Sequence, residues 1–164
     1  MSYCFQCGNK LINKLCNNEG EVPYFNECEM FRFPGFSSAI SAIILNPDRN
    51  KVLLIQQYGR VDNILVAGYI NKGEDSEQTL VREVKEETGL NIKDYQYMKS
   101  SYYEKTNTLM CNFICVVDSE DLSQINEEVD KAEWFSFEEA LKNIKSKSLA
   151  EEFLIYAFKK MNYI

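Results

Sequence analysis

The chain contains no histidine. That excludes Ser–His and Cys–His catalytic pairs, together with every metal site that needs an imidazole. Acid–base chemistry must then fall to carboxylates, lysine, tyrosine, cysteine or a metal-bound water. Long apolar runs are missing as well, and none approaches the roughly 20 residues of a membrane-spanning helix. The opening MSYCFQCGNK lacks the charged-then-apolar layout of a signal peptide, so a cytoplasmic location is expected. Positive charge is scarce: 18 Lys and Arg stand against 25 Asp and Glu, a net charge of −7. This argues against a basic nucleic-acid-binding face. It also sets a problem for any phosphate substrate, which such a protein repels unless cations intervene.

What is present fits an ordinary globular chain. Its 164 residues suit one main domain with a small appendage, and 45% hydrophobic against 26% charged residues is a common balance. Residues 1–35 stand apart, with four of the six cysteines, Gly8, Gly20, Pro23 and Pro34, and little periodicity. They read as a small loop-rich module. From 36 to 164 the apolar runs lengthen. SAISAIILN (38–46) and KVLLIQQYG (51–59) read as strands joined through the turn residues NPDRN, and ILVAGYI (64–70) as a third strand ending near Gly68 and Gly73. The period then changes. Leu80, Val84 and Thr88 recur at four-residue spacing, which predicts an amphipathic helix over 76–88. Asp75 with Gln78 forms a candidate capping box, and Gly89 a candidate C-terminal stop. Strands are expected again at 97–105, 109–117 and 131–137, and helices at 137–144 and 149–161. The order predicts an α+β fold, a mixed sheet between helices in an α/β/α sandwich.

Within the first helix the stretch REVKEETG places Glu83, Glu86 and Glu87 at i, i+3 and i+4, on one face. Unpartnered, three such charges destabilise the helix and raise one another's pKa. Two readings follow from the helix alone: a solvated acidic face, or a set of hard oxygen ligands for a divalent cation such as Mg²⁺. A cation there would also join an acidic protein to an anionic substrate.

The residues outward of this helix reach further. GYINKGEDSEQTLVREVKEETGL (68–90) resembles the signature of the Nudix hydrolases, matched by Gly68, Glu74, Arg82, Glu83, Val84, Glu86, Glu87, Gly89 and Leu90. That spacing is specific, unlike a lone glycine motif. The two glycines are expected to permit turns that bring loop and helix together. Arg82 can pair with Glu74. The resemblance implies that Glu83, Glu86 and Glu87 bind Mg²⁺ or Mn²⁺, that the ions polarise a pyrophosphate and activate water, and that a carboxylate acts as general base. It further implies one acid from outside the helix. EVDKAEWF resembles a family element that gives this role to Glu128, and Glu127 and Asp130 are the neighbouring alternatives.

The N-terminal segment resembles that of the NADH pyrophosphatase branch, in which a four-cysteine zinc ribbon precedes the hydrolase domain. CFQCG supplies one knuckle, and RFP (32–34) leads into the first long strand. Phe25 stands where the second knuckle expects a cysteine, so a structural Zn²⁺ would draw on Cys4, Cys7, Cys28 and, at unusual spacing, Cys16; the alternative is a metal-free ribbon. Cys111 and Cys115 alternate with Phe113 and read as small core residues. The branch's proline-rich specificity element is absent. LM (109–110) agrees with it, but Tyr103 falls where the branch has tryptophan, either to stack on a ring or to pack in a strand. Tyr58 and Arg60, ending the second strand, either reach a nucleotide or form a plain hairpin end.

The resemblance therefore implies hydrolysis of a nucleoside diphosphate linked to another moiety, foremost NAD(H) to AMP and nicotinamide mononucleotide. ADP-ribose or another nucleoside diphosphate derivative is the alternative. A non-catalytic nucleotide-binding module is a reading from another class, and a partner of NAD-capped RNA ends a third that the acidic charge weakens. Relatives are commonly dimeric, which leaves a homodimer open.

Overall fold

The computed structural model describes residues 3–4 and 6–164. The chain divides into two compact units, Met1–Phe36 and Ser37–Ile164.

The first unit carries more regular structure than its sequence suggests. Strands β1 (Ile12–Leu15), β2 (Glu21–Phe25) and β3 (Met30–Phe31) form a three-stranded antiparallel sheet in that order. β1 is exposed along its whole length, so it shows no apolar alternation to read. Val22, Tyr24 and Phe25 are buried, Tyr24 meets Phe31 edge-on at 4.9 Å between ring centres, and Lys14 Nζ lies 4.0 Å above the Tyr24 ring.

In the second unit a six-stranded mixed sheet is built from β4 (Ser37–Leu45), β5 (Lys51–Gln57), β6 (Val66–Tyr69), β7 (Ile92–Tyr103), β8 (Thr108–Val117) and β9 (Val129–Ser136). The path runs β7-β8-β4-β5-β9, with β6 added to β4. β4 and β8 are parallel, and the other pairings are antiparallel. β4 is shared along its length: Ala39 to Ala42 pair with β6, while only Ile44 and Leu45 pair with β5. This fork lets β6 lie beside the start of β4.

Side chains alternate between the two faces of a strand, and here both faces are buried. Ile43, Leu45, Val52 and Leu54 pack with Phe153, Leu154, Ala157 and Phe158 of α3 (Leu149–Lys160) and Ala140 of α2 (Phe137–Asn143). Ile40, Ala42, Ile44, Leu53 and Ile55 pack on the opposite side with Leu80 and Val84 of α1 (Ser76–Thr88). Burial on both faces is why SAISAIIL reads as a nearly continuous apolar run. Phe113 and Cys115 are core residues on the α1 side, with Cys111 packed against them.

The ends of α1 follow its sequence. Asp75 accepts from the Gln78 backbone N–H while the Gln78 side chain accepts from the Asp75 N–H, a closed capping box. Gly89 ends the helix in the left-handed region at φ 74°. β7 begins at Ile92, ahead of the expected 97, because this edge strand presents the polar, exposed run KDYQ that carries no strand-like alternation. Among the described residues no helix is long and apolar enough to cross a membrane.

Candidate active site

Construction starts in the loop between β6 and α1. Gly73, at φ +95°, turns the chain, and the Glu74 N–H closes the turn on Asn71 O at 3.0 Å. The Glu74 carboxylate accepts from the Asn71 N–H (3.1 Å), from Thr79 Oγ1 (3.0 Å), and from Arg82 Nε and Nη2 (2.7 and 2.9 Å). The guanidinium beside it holds Glu74 down at about 2. Arg82 also donates to Glu83 (2.7 Å), Glu86 (3.1 Å) and the Tyr69 carbonyl (3.1 Å), tying loop, helix and β6 into one piece. The pair expected between Arg82 and Glu74 is present as a two-pronged contact, the strong form of a guanidinium–carboxylate bond.

Gly68 corrects the sequence reading. It lies within β6, not at a turn, and its function is steric: a Cβ there would stand 1.9 Å from Glu83 Cδ and Oε1. The bare backbone leaves the space that the Glu83 carboxylate fills. Gly89 does allow a turn, and a Cβ on it would also meet Gln124 Cβ at 2.4 Å.

The three glutamates of the helix are not equivalent. Glu86 is the solvent-facing member, with 55% of its side chain exposed, against 13% for Glu83. Glu87 is only 4% exposed, and its Oε2 has no hydrogen-bond partner. Burial pushes its carboxyl up to about 8, and the charges of Glu83, Glu128 and Glu86 add to the effect. The Gln57 amide nearby opposes the shift, yet its Nε2 finds no hydrogen-bond partner either.

These groups open onto a cavity of about 1050 Å³ lined by Glu83, Glu87, Arg82 and Glu128 among others. Glu74 and Glu86 lie outside its lining, behind and beside Arg82. Of the three acids near the start of β9, Glu128 is the one on the cavity wall; Asp130 instead accepts from the Gly59 N–H at 2.6 Å. Tyr58 lies beside it in a left-handed conformation (φ 56°), and its hydroxyl donates to Glu128 Oε2 at 3.3 Å. Sequence alone left Tyr58 open between two roles, since neither the bulge at Gln56/Gln57 nor the backbone strain is visible in residue types. Arg60 is not part of the lining, whereas Tyr103 is.

Do these residues suit a divalent cation? A buried carboxylate with one oxygen unpartnered, faced by further carboxylates, is a set of hard oxygens short of positive charge. Glu83, Glu87 and Glu128 on the wall, with Glu86 adjacent, fit that requirement. Among the described residues no three or more Cys, Asp or Glu side chains stand in a metal-holding arrangement. At the helix, Arg82 already engages Glu83 and Glu86.

The same holds for the cysteines expected to take zinc. Cys4 and Cys7 share a tight turn in which the Gly8 N–H reaches Cys4 O at 2.8 Å. The Arg32 guanidinium hydrogen-bonds the Cys4 sulfur, holding that thiol down at about 7, and it also feels Cys7 and Cys28. Cys16 belongs to the β1–β2 connection, where its N–H donates to Gly20 O.

The glutamate cluster makes a stability prediction. A proton held by folded Glu87 is lost from an unfolded Glu above its ordinary value of 4.5. The folded state therefore binds more protons between about 4.5 and 8, and stability must fall as pH rises through that window, by on the order of a few kcal/mol. Glu74 works in the opposite sense, its contribution disappearing as pH falls from 4.5 towards 2. Melting in chelator should be most resistant near pH 5, and Mg²⁺ should restore the loss at pH 8.5. A melting temperature that rises steadily from pH 5 to pH 8.5 in chelator contradicts the burial of Glu87.

A helix of acids is thus capped into register with a glycine-relieved strand inside an α/β/α sandwich. The particular family is shown by sequence: the NUDIX domain family model matches residues 35–155, and the chain belongs to that family. A curated relative from Vibrio parahaemolyticus, "NAD-capped RNA hydrolase NudC", is 30% identical over 85% of this chain and 52% of its own length. A second of the same name, from Mannheimia succiniciproducens, is 29% identical over 97% of this chain and 61% of its own. The chain thus spans roughly half to three-fifths of these relatives. A solved Nudix hydrolase from Nitrosomonas europaea superposes with a TM-score of 0.65 at 18% identity, covering 99% of this chain and 93% of that one, a likeness of fold.

Proposed function

We propose that this chain is a divalent-cation-dependent pyrophosphohydrolase of a nucleoside diphosphate linked to another moiety, with NAD(H) the foremost substrate and AMP plus nicotinamide mononucleotide the products. The observation that carries this reading is Glu87, a buried carboxylate with an unpartnered oxygen, opening with Glu83 and Glu128 onto one large cavity. Glu83, Glu86, Glu87 and Glu128 would hold Mg²⁺ or Mn²⁺. When bound, the cation neutralises the pyrophosphate and makes a water nucleophilic near neutral pH.

The rest is done by the protein. Glu74 and Arg82 orient Glu83 and Glu86 from behind, and Gly68 leaves Glu83 its place. Glu128, outside the helix, either completes the ligand set or takes the proton of the attacking water, and Tyr58 positions it. Tyr102 and Tyr103 offer rings at the end of β7, where a base or nicotinamide can stack. The NAD-capped RNA hydrolase names of the sequence relatives support an NAD-type substrate. A cytoplasmic setting, in which the cysteines remain free thiols, belongs to the same reading. Whether Zn²⁺ binds at the cysteines of the first unit is a separate matter, tested by metal analysis.

A substrate panel with product identification decides between candidates: NADH, NAD⁺, ADP-ribose, FAD, dinucleoside polyphosphates, nucleotide sugars, nucleoside triphosphates and an NAD-capped RNA. Turnover of none, with Mg²⁺ or Mn²⁺ present, would leave a non-catalytic nucleotide-binding module. Tyr58→Phe removes one hydrogen bond to Glu128 and should lower kcat about 3- to 10-fold with KM little changed. An effect confined to KM would place Tyr58 on the substrate instead.

A further inference from the structure

The cavity has a second pole, of opposite charge. Lys105 stands in the turn Glu104–Thr106 between β7 and β8, and Lys145 and Lys147 in the link between α2 and α3; all three line the cavity that Glu83, Glu87 and Glu128 line. Glu83 and Glu87 come from α1 on one face of the sheet, and Lys145 and Lys147 from the link between α2 and α3 on the other, while Lys105 comes from the β7–β8 turn. The floor between them follows from register: Ser101, Met110, Ala39 and Tyr69 are successive cross-strand partners, and each lines the cavity.

The lysines differ in what they already hold. Lys145 Nζ is paired with Asp62 at 2.7 Å. Among the described residues Lys105 and Lys147 form no ion pair or side-chain hydrogen bond through Nζ, and Glu152 is the carboxylate that α3 adds to the lining. The segment that presents Lys147 is firmly built. Lys145 N–H reaches Asn63 O at 2.8 Å, Ser148 Oγ donates to Lys145 O at 2.6 Å, and the Lys147 N–H donates to Glu151 Oε2 at 2.7 Å. Lys147 itself is held at φ 55°. In a protein of net charge −7, two ammonium groups without an ion pair on one cavity wall favour an anion there. In the proposed function the scissile pyrophosphate would be held at the carboxylate pole by Glu83, Glu87 and Glu128 through a cation, which leaves the two lysines for another anionic group.

We propose that Lys105 and Lys147 bind a phosphate monoester carried on a ribose of the substrate's remote moiety, so that phosphorylated dinucleotides are preferred over their unphosphorylated counterparts. This deepens the proposed function and rests on it. A lysine contact to a phosphate is charge-assisted, and two of them correspond to roughly 10- to 100-fold in affinity.

The test has a kinetic and a binding arm. With Mg²⁺, kcat/KM for NADPH should exceed that for NADH about 10-fold or more, and Lys105→Ala with Lys147→Ala should collapse the ratio towards one through KM. In a calorimetric titration without turnover, 2′,5′-ADP should bind the intact protein more tightly than 5′-AMP, and the double variant should lose that difference. Equal losses for both dinucleotides would place the lysines on the shared pyrophosphate, and an unchanged ratio would remove them from recognition; either overturns the inference. If neither dinucleotide is hydrolysed, NAD(H) falls as the foremost substrate, and the 2′,5′-ADP titration still decides the phosphate site. Equal affinity for 2′,5′-ADP and 5′-AMP in the intact protein would end it.

Discussion

Replacing Glu87 by Gln is expected to lower kcat by at least ~10³-fold while the variant folds normally and, in chelator at pH 8, melts higher than the wild type. The amide matches the carboxylate in shape, so packing around this 4%-exposed side chain is kept. What it lacks is the negative charge, which burial makes costly in the free protein and which a bound cation would repay. Stability and activity must then move in opposite directions, a pairing that simple misfolding cannot produce. The alkaline fall in stability should also flatten, because the group with its carboxyl pushed up to about 8 is gone. Turnover within tenfold of wild type, with Mg²⁺ or Mn²⁺, would defeat the metal-site argument. A lower melting temperature in chelator at pH 8 would show that Glu87 has a favourable partner in the folded state.

Gly68→Ala is expected to reduce kcat/KM by roughly 10²-fold with only a small change in melting temperature. The added methyl would lie 1.9 Å from Glu83 Cδ, closer than any real contact. The obstacle is the far end of a flexible side chain, so the carboxylate moves and the strand stays. That displacement breaks the 2.7 Å contact from Arg82 Nη1 to Glu83 and withdraws Glu83 from the cavity wall. Gly73→Ala is the contrasting variant. It has φ +95° and open space around it, so it should cost about 1 kcal/mol of stability and spare most of the activity. Similar activity losses in both variants, tracking stability, would return Gly68 to an ordinary conformational role.

The helix was legible to its ends because its signals are local. The Asp75–Gln78 box, the Gly89 stop and the four-residue spacing of Leu80, Val84 and Thr88 depend on residues within one or two turns of each other. The long strands were legible because both faces of β4 and β5 are buried, which concentrates apolar residues. The start of β7 and all of β1 were not, since edge and exposed strands are selected for pairing without a buried face. The role of Gly68 was misplaced for a related reason: a glycine announces permission, and whether backbone freedom or missing volume is used depends on what packs above it.

By itself, the sequence determined the α+β sandwich, the helix of three glutamates, its register with Gly68 and Glu74, and membership of the Nudix family. Those features are carried by spacing along the chain, which a helix or strand converts directly into a shared face. Only the tertiary structure decided that Glu87 is the buried member and Glu86 the solvated one, that Glu128 faces the cavity with Tyr58 upon it, and that Lys105 and Lys147 form an opposing pole. Each of these depends on elements far apart in sequence meeting around one cavity. Burial and field are properties of that meeting, and no local pattern of residues records them.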